Sequence, residues 1–195
     1  MLVARHGLKH LSTGDLLRDH IKEGTELGQL AKAYMDKGQL VPDDVVIGMV
    51  RATLKDYVAG TRFVLDGFPR TPAQAEALSG LLAELGLSMG RVVFLEVPTE
   101  VLVSRLAGRR ICKVCGAVYH LKENPSAVAG ICDKCGGELM QRSDDTEEVV
   151  LARLVTYNQS TAPVKAYYRE HGVLREIDGT GSAEEVYGKI QAVLF

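Results

Sequence analysis

The chain has 195 residues, 46% of them apolar and 25% charged, with a formal net charge of −2. That profile fits one globular domain of ordinary size, able to bury a real core and to carry small inserts. It excludes a general attraction to nucleic acid or anionic membrane, so any basic feature must be local.

The N-terminus lacks an apolar core of signal-peptide length, and no window approaches a membrane span. The expected location is the cytoplasm, where disulfides are rare. In chain order, "LVARH" before Gly7 predicts the last turn of a helix, and Ser12-Thr13 the N-cap of a second through "GDLLRDH". A third helix is expected from Glu26 to Lys37, closed by Gly38. Pro42 then breaks the chain, and Asp43 is expected to cap a helix on which Val46, Val50, Leu54 and Tyr57 recur at helical spacing. "RFVLDGF" and "RVVFLEV" read as short strands buried on both faces. Between them, "TPAQAEALSGLLAELG" reads as a helix with proline in its first turn.

A helix through "TEVLVSRLAG" follows, and residues 111–141 then break the pattern with cysteines and glycines. A long helix is expected from near Asp144, where "DDTEE" puts acid at its positive end. "PVKAYYREHG", a strand "VLREID" and a helix opened by a Ser182–Glu185 capping box complete the chain. Strands alternating with helices predict a parallel sheet with right-handed crossovers, for which "LKHLS" is the candidate fourth strand.

Cys112-x₂-Cys115 and Cys132-x₂-Cys135 are separated by sixteen residues, and each pair is followed by glycine. Two such knuckles, whose backbone amides can donate to thiolate sulfurs, predict a closed four-thiolate structural zinc site. Redox dithiols or disulfides are the competing reading, which a cytoplasmic setting disfavours. A zinc ribbon serves either to bind nucleic acid or to staple an insert too small to hold itself together.

"FVLDGFPRTPAQ" places Asp66 at a strand end, where α/β proteins put a group that meets magnesium and its waters, with Arg70 one short turn away. Taken alone, Asp66 reads as a turn residue and Arg70 as a solvated charge. Arg18, Arg105, Arg109, Arg142 and Arg153 also lie near element ends, with Arg105 and Arg109 able to share a helix face. Six such arginines without net positive charge predict a convergent anion site, since guanidinium forks fit phosphate oxygens. There is no Ser-His-Asp set, and His6, His10, His20 and His171 read as surface or packing residues. Arginines plus one strand-end aspartate are what phosphoryl transfer wants.

Together "LSTGDLLR", "GQLVPDD", "LDGFPRT", "GRRIC", "CDKCGGEL" and "TAPV" make the chain resemble adenylate kinases of the bacterial type with a zinc-bearing lid, from about Leu8 onward. The resemblance implies an α/β fold: a parallel-sheet nucleoside monophosphate kinase core of the P-loop type with a helical AMP-binding insert and a small zinc lid. It implies a core of residues 1–11, 42–107 and 146–195, an AMP-binding domain of 12–41 and a lid of 108–145. The implied reaction is ATP + AMP = 2 ADP with magnesium, in purine nucleotide homeostasis, by a cytoplasmic monomer whose partners are ATP, AMP and ADP, not nucleic acid or membrane. Position by position, it puts Thr13, Arg18, Gln39, Leu40, Val41, Gly67, Phe68, Pro69, Arg70 and Gln74 on AMP, with Gln74 facing the adenine edge. Arg142 and Arg153 would reach the phosphates, and Arg105, Arg109, Val118, Tyr119 and Gly181 would serve ATP. Asp66, Arg70, Arg105, Arg109, Arg142 and Arg153 form the implied catalytic set, with Cys112, Cys115, Cys132 and Cys135 on zinc.

Such kinases begin with a strand and a glycine-rich phosphate loop of the form G-x-x-x-x-G-K. The one Gly-Lys pair here, Gly188-Lys189, lacks the upstream glycine. The expectation is that a strand, the loop and most of a helix are missing from a shortened chain, roughly fifteen to twenty residues. That would leave the neighbouring strand edges unpaired and the β- and γ-phosphates without their cradle of N–H groups. The alternatives are a non-catalytic AMP-binding module with a zinc flap, and a nucleic-acid-binding ribbon. The second is disfavoured because "KENPSAVAG" has neither a basic stripe nor stacked aromatics.

Overall fold

In a computed structural model that describes residues 1–58 and 60–195, the short apolar runs form parallel strands and the amphipathic segments form the helices around them. Helix α1 (Leu2–His6) ends at Gly7, whose φ of 65° gives the left-handed stop that the sequence predicts. Strand β1 (Lys9–Ser12) runs into α2 (Thr13–Glu23), where the Ser12 hydroxyl accepts from the Asp15 amide. Next come α3 (Glu26–Met35), α4 (Asp43–Leu54), β2 (Phe63–Asp66), α5 (Pro72–Glu84), β3 (Val92–Glu96) and α6 (Thr99–Ala107). An antiparallel sheet of β4 (Arg109–Cys112), β5 (Val118–His120) and β6 (Leu139–Met140) follows, in the order β5-β4-β6. The chain ends with α7 (Glu147–Thr156), α8 (Val164–Glu170), β7 (Leu174–Asp178) and α9 (Ala183–Leu194).

All four expected core strands are present and parallel. β1 pairs with β2 from Lys9↔Phe63 to Ser12↔Asp66, and β3 with β7 from Val92↔Leu174 to Glu96↔Asp178. Among the described residues no ladder joins β2 to β3. Between them opens a cavity of about 2420 Å³ that every residue of both strands lines. This corrects the expectation that these strands are buried on both faces. Phe63, Val64 and Leu65 are only half-buried, and Leu95 is exposed, because each strand has one edge on the cavity.

The main core is packed by Leu11, Leu17, Ala31, Val46, Val50, Leu54, Leu78 and Leu81, the apolar stripes of α2 to α5 against β1. A second cluster centred on Ala75, Val164 and Tyr168 seats α8 against β3 and β7. Helix α1 buries no residue and is held to α9 by side chains. Arg5 pairs with Glu184 at 2.5 Å, and the His6 ring stacks on Phe195 with centroids 4.2 Å apart.

Several boundaries differ from expectation for local reasons. Helix α3 stops at Met35, two residues early, and a turn carries the chain to Gly38, whose φ of 69° makes the reversal. The N-cap of α4 is Pro42 rather than Asp43, because the Asp43 carboxylate is engaged with other residues described below. Arg109 does not share a helix face with Arg105: α6 ends at Ala107 and Arg109 opens β4. The helix expected from Asp144 begins at Glu147 with Thr146 as N-cap, after a single 3-10 turn over Ser143–Asp145. The capping box of Ser182 and Glu185 at α9 is present. No helix among the described residues is long and apolar enough to cross a membrane.

The α2–α3 corner depends on one missing methyl. A Cβ at Gly28 would lie 2.1 Å from the His20 carbonyl oxygen on the neighbouring helix, a clash with backbone that no rotamer relieves. At Gly80, inside α5, a Cβ meets nothing within 4 Å. Gly28→Ala should therefore cost about 3 kcal/mol in a denaturant melt, whereas Gly80→Ala should stabilise by roughly 0.5–1 kcal/mol. Equal effects from the two would contradict this packing.

Candidate active site and metal centre

The loop after β2 is where polar groups converge. Gly67 has φ 72°, which lets the chain turn sharply enough for Thr13 Oγ1 to donate to the Gly67 carbonyl at 2.9 Å. Arg70 Nε donates to the same carbonyl at 2.8 Å, and its Nη2 lies 2.8 Å from where a Gly67 Cβ would stand. Any larger residue at 67 would displace the guanidinium. Thr161 Oγ1 donates to the Arg70 carbonyl, tying this loop to the segment before α8.

Arg70 is half-buried beside other cations. Desolvation and the nearby Arg153 and Arg18 push it below the usual arginine value, against the opposing pull of Asp66 and Asp144. Arg142 is lowered in the same way, by desolvation and then by Arg18 and Arg109, with Asp144 and Asp145 opposing. Five of the six predicted arginines thus come from α2, the β2–α5 loop, β4, the loop before the 3-10 turn and α7 into one mutual field. Guanidiniums do not lose their charge, so the cost is a standing repulsion that an anion would relieve.

Two aspartates hold this cluster. Asp145 is fully buried and accepts from Arg109 Nε at 2.8 Å and Nη2 at 2.5 Å, a bidentate fork. Arg153 approaches Asp144 at 3.5 Å and Asp145 at 3.8 Å. Arg18 pairs with Asp15 at 2.5 Å. Arg70 and Arg142 have no carboxylate within salt-bridge distance among the described residues, which leaves their charge the least matched.

The cavity brings together Thr13, Arg18, Arg70, Gln74, Arg153 and Asp66, with Gln39 to Val41 and Gly67 to Pro69 completing that wall. Arg105 and Gly181 lie on its far side. There Arg105 Nη1 donates to the Gly179 carbonyl and Nη2 to that of Gly181, so this arginine fixes the loop after β7. Four of the residues predicted for the nucleotides stand outside the lining: Arg109, Arg142, Val118 and Tyr119. Tyr119 faces the interior of the small antiparallel sheet, where its hydroxyl sits 3.5 Å from Cys132 Sγ and accepts from the Asp133 amide. Asp66 is exposed and lies 3.3 Å from His10 Nε2, so His10 is a wall residue of this cleft as well as a surface one.

Two acids that matter escaped the sequence reading. Asp145 read only as helix-terminal charge, and a fully buried carboxylate carries no local signature. Asp43 read as a cap, yet its Oδ1 accepts from Gln74 Nε2 at 2.7 Å and its Oδ2 from Thr71 Oγ1 at 2.8 Å. Their signal lies in partners distant in sequence, which only the fold supplies.

The four cysteines do converge. All four Sγ atoms lie within 4.8 Å of one another, with Cys112–Cys135 at 3.5 Å and Cys115–Cys132 at 3.6 Å, and none is disulfide-linked. A tetrahedron of zinc–sulfur bonds of roughly 2.3 Å places its sulfurs about 3.8 Å apart, so the donor set fits an ion such as zinc. Each knuckle turns at a left-handed glycine, Gly116 and Gly136, both at φ 71°. The Val114 amide donates to Cys112 Sγ at 3.4 Å. The Tyr119 hydroxyl lowers the Cys132 thiol to about 6. Cys135 is drawn down by the Gly137 amide but pushed further up by the Cys115 and Cys112 sulfurs, to about 12. Four sulfurs this close cannot all be thiolates without a cation among them.

Comparison with known proteins points one way. The family model described as adenylate kinase matches residues 1–173. A protein of Carboxydothermus hydrogenoformans named adenylate kinase is 52% identical over 193 residues, 99% of this chain and 90% of that protein. One from Geobacter sp. (strain M21) with the same name is 51% identical over 194 residues, covering 100% and 91%. One from Archaeoglobus fulgidus, also so named, is 50% identical over 190 residues, covering 97% and 88%.

The metal centre yields a direct prediction. The purified chain should carry one metal ion by elemental analysis, and a chelator or Cys132→Ser should remove it and release the small sheet, read as rapid amide exchange over residues 109–140. A metal-free protein with that region still protected would contradict the assignment.

Proposed function

The chain belongs to the adenylate kinase family, and from that premise we propose that it catalyses reversible phosphoryl transfer between ATP and AMP to give two ADP. The observation that carries this reading is that Arg18, Arg70 and Arg153 line one cleft, with Arg109 joined to Arg153 through their shared partner Asp145. A transferring phosphoryl group spreads charge over three oxygens, and fixed guanidiniums stabilise it without any covalent protein group. An AMP phosphate oxygen forms the new bond to the γ-phosphorus as the bond to the departing ADP oxygen breaks.

In this proposal Thr13, Arg18, Gln39 to Val41, Gly67 to Arg70 and Gln74 take AMP. Arg70 binds its phosphate, and Gln74 reads the base. Arg105, Arg109, Val118, Tyr119 and Gly181 serve ATP, with Val118 and Tyr119 contributing backbone because the Tyr119 ring is used inside the lid. Arg142 and Arg153 orient the phosphates between the two nucleotides. Residues 12–41 are the AMP-binding domain and 108–145 a lid that zinc keeps folded so that it can exclude water; the remainder is the core. Magnesium, arriving with ATP, would supply charge neutralisation for the transferring phosphoryl group, and in this proposal Asp66 is the residue that meets it. The protein would act as a cytoplasmic monomer on free nucleotides.

A second reading has its own observation. Within these 195 residues no G-x-x-x-x-G-K-[ST] pattern occurs, and the cleft widens into the opening between β2 and β3. A chain of this content could bind AMP without turning over ATP. Calorimetry with AMP and a coupled assay for ADP separate the two. Turnover that falls about 100-fold in Arg153→Ala supports the kinase, AMP binding without turnover supports the module, and failure to bind AMP refutes both.

A further inference from the structure

We propose that Asp43 sets which purine this site accepts, by locking the orientation of the Gln74 side-chain amide. The inference rests on the reading of Gln74 as the group that reads the base, and extends it to a residue that never touches the nucleotide.

Gln74 is only 2% exposed, yet it lines the cleft. Its amide has two N–H donors and one oxygen with two lone pairs. One donor goes to Asp43 Oδ1 at 2.7 Å, and one lone pair accepts from the Arg70 backbone N–H at 2.8 Å. A carboxylate only accepts and a backbone N–H only donates, so the amide cannot be turned over without breaking both contacts. What remains is one N–H and one lone pair.

Those two groups match adenine. The 6-amino group donates to the free lone pair, and the ring N1 accepts from the free N–H. Hypoxanthine inverts both positions, with an accepting oxygen at C6 and a donating N1–H. Against a locked Gln74 it would set oxygen against oxygen and N–H against N–H. Against an amide turned over it would pair as well as adenine does. Selectivity therefore depends on whatever prevents the turn.

Asp43 is well placed to prevent it. It is the first residue of α4, and its second oxygen takes the Thr71 hydroxyl at 2.8 Å. Thr71 Oγ1 in turn accepts from the Gln74 backbone N–H at 3.1 Å as the N-cap of α5. The carboxylate thus sits at the N-termini of two helices, where negative charge is favoured, and is held at both oxygens. Asn at this position keeps the shape but offers a donor as well as an acceptor, so it removes one of the two contacts that hold Gln74 and leaves the Arg70 N–H alone against the turn.

The test is calorimetric binding of AMP and of inosine 5′-monophosphate to the full chain, its Asp43→Asn variant and its Gln74→Ala variant. A preference for AMP in the unaltered chain that narrows about tenfold in Asp43→Asn, chiefly through tighter binding of the inosine nucleotide, supports the proposal. Because a general loss of packing weakens both nucleotides alike, the ratio isolates the lock. If Gln74→Ala removes the preference while Asp43→Asn keeps it, Gln74 reads the base and the role of Asp43 is overturned. If the unaltered chain shows no preference, or Gln74→Ala retains it, the underlying reading of Gln74 fails and the proposal falls with it. Should Asp43→Asn not fold, Asp43→Ser carries the same test with the same outcomes.

Discussion

The structure turns on a buried carboxylate beneath converging arginines. Asp145 is wholly removed from solvent and accepts both arms of Arg109. Gln141 Nε2 donates to the Asp145 carbonyl and to that of Ala107, so one short segment ties both ends of the cysteine-bearing insert together. Arg153 joins from α7. An ion pair this deep gains little net stability over apolar packing, because desolvation offsets most of the attraction. What it does is fix geometry: it holds the guanidiniums of Arg109 and Arg153, from separate elements, at one place.

The insert itself has almost no core. Cys112, Tyr119 and Cys132 are its only buried apolar side chains among the described residues, and its three strands are four residues or fewer. A three-stranded sheet of that size cannot stay folded on apolar burial alone. A metal ion held by the four sulfurs would supply the missing stability at a point remote from the cleft. The core has the opposite character, with two apolar clusters and an opening between two strand pairs, so the cleft is continuous with the space between β2 and β3.

Much of this was legible in the sequence, and the rest was hidden for physical reasons. The strands, the glycine helix stops and the capping box are set by residues close together in the chain. The cysteine site was legible because knuckle spacing encodes its own geometry. Arg109 was misplaced on a helix because the i,i+4 rule says nothing about where Gly108 stops that helix. The burial of β2 and β3 was overestimated because an apolar run reports what a strand can bury and not whether its neighbour is there. Asp43 and Asp145 were missed as organising groups since each is defined by partners 28 to 36 residues away.

The central claim is that Arg18, Arg70 and Arg153 face one anion together. Arginine side-chain NMR on the full chain tests it most directly, by following guanidinium resonances as AMP is added, with adenosine as the phosphate-free control. The account predicts that the three signals move together, saturate at one AMP per chain and do not respond to adenosine. Resonances that move independently, or that respond equally to adenosine, would contradict it.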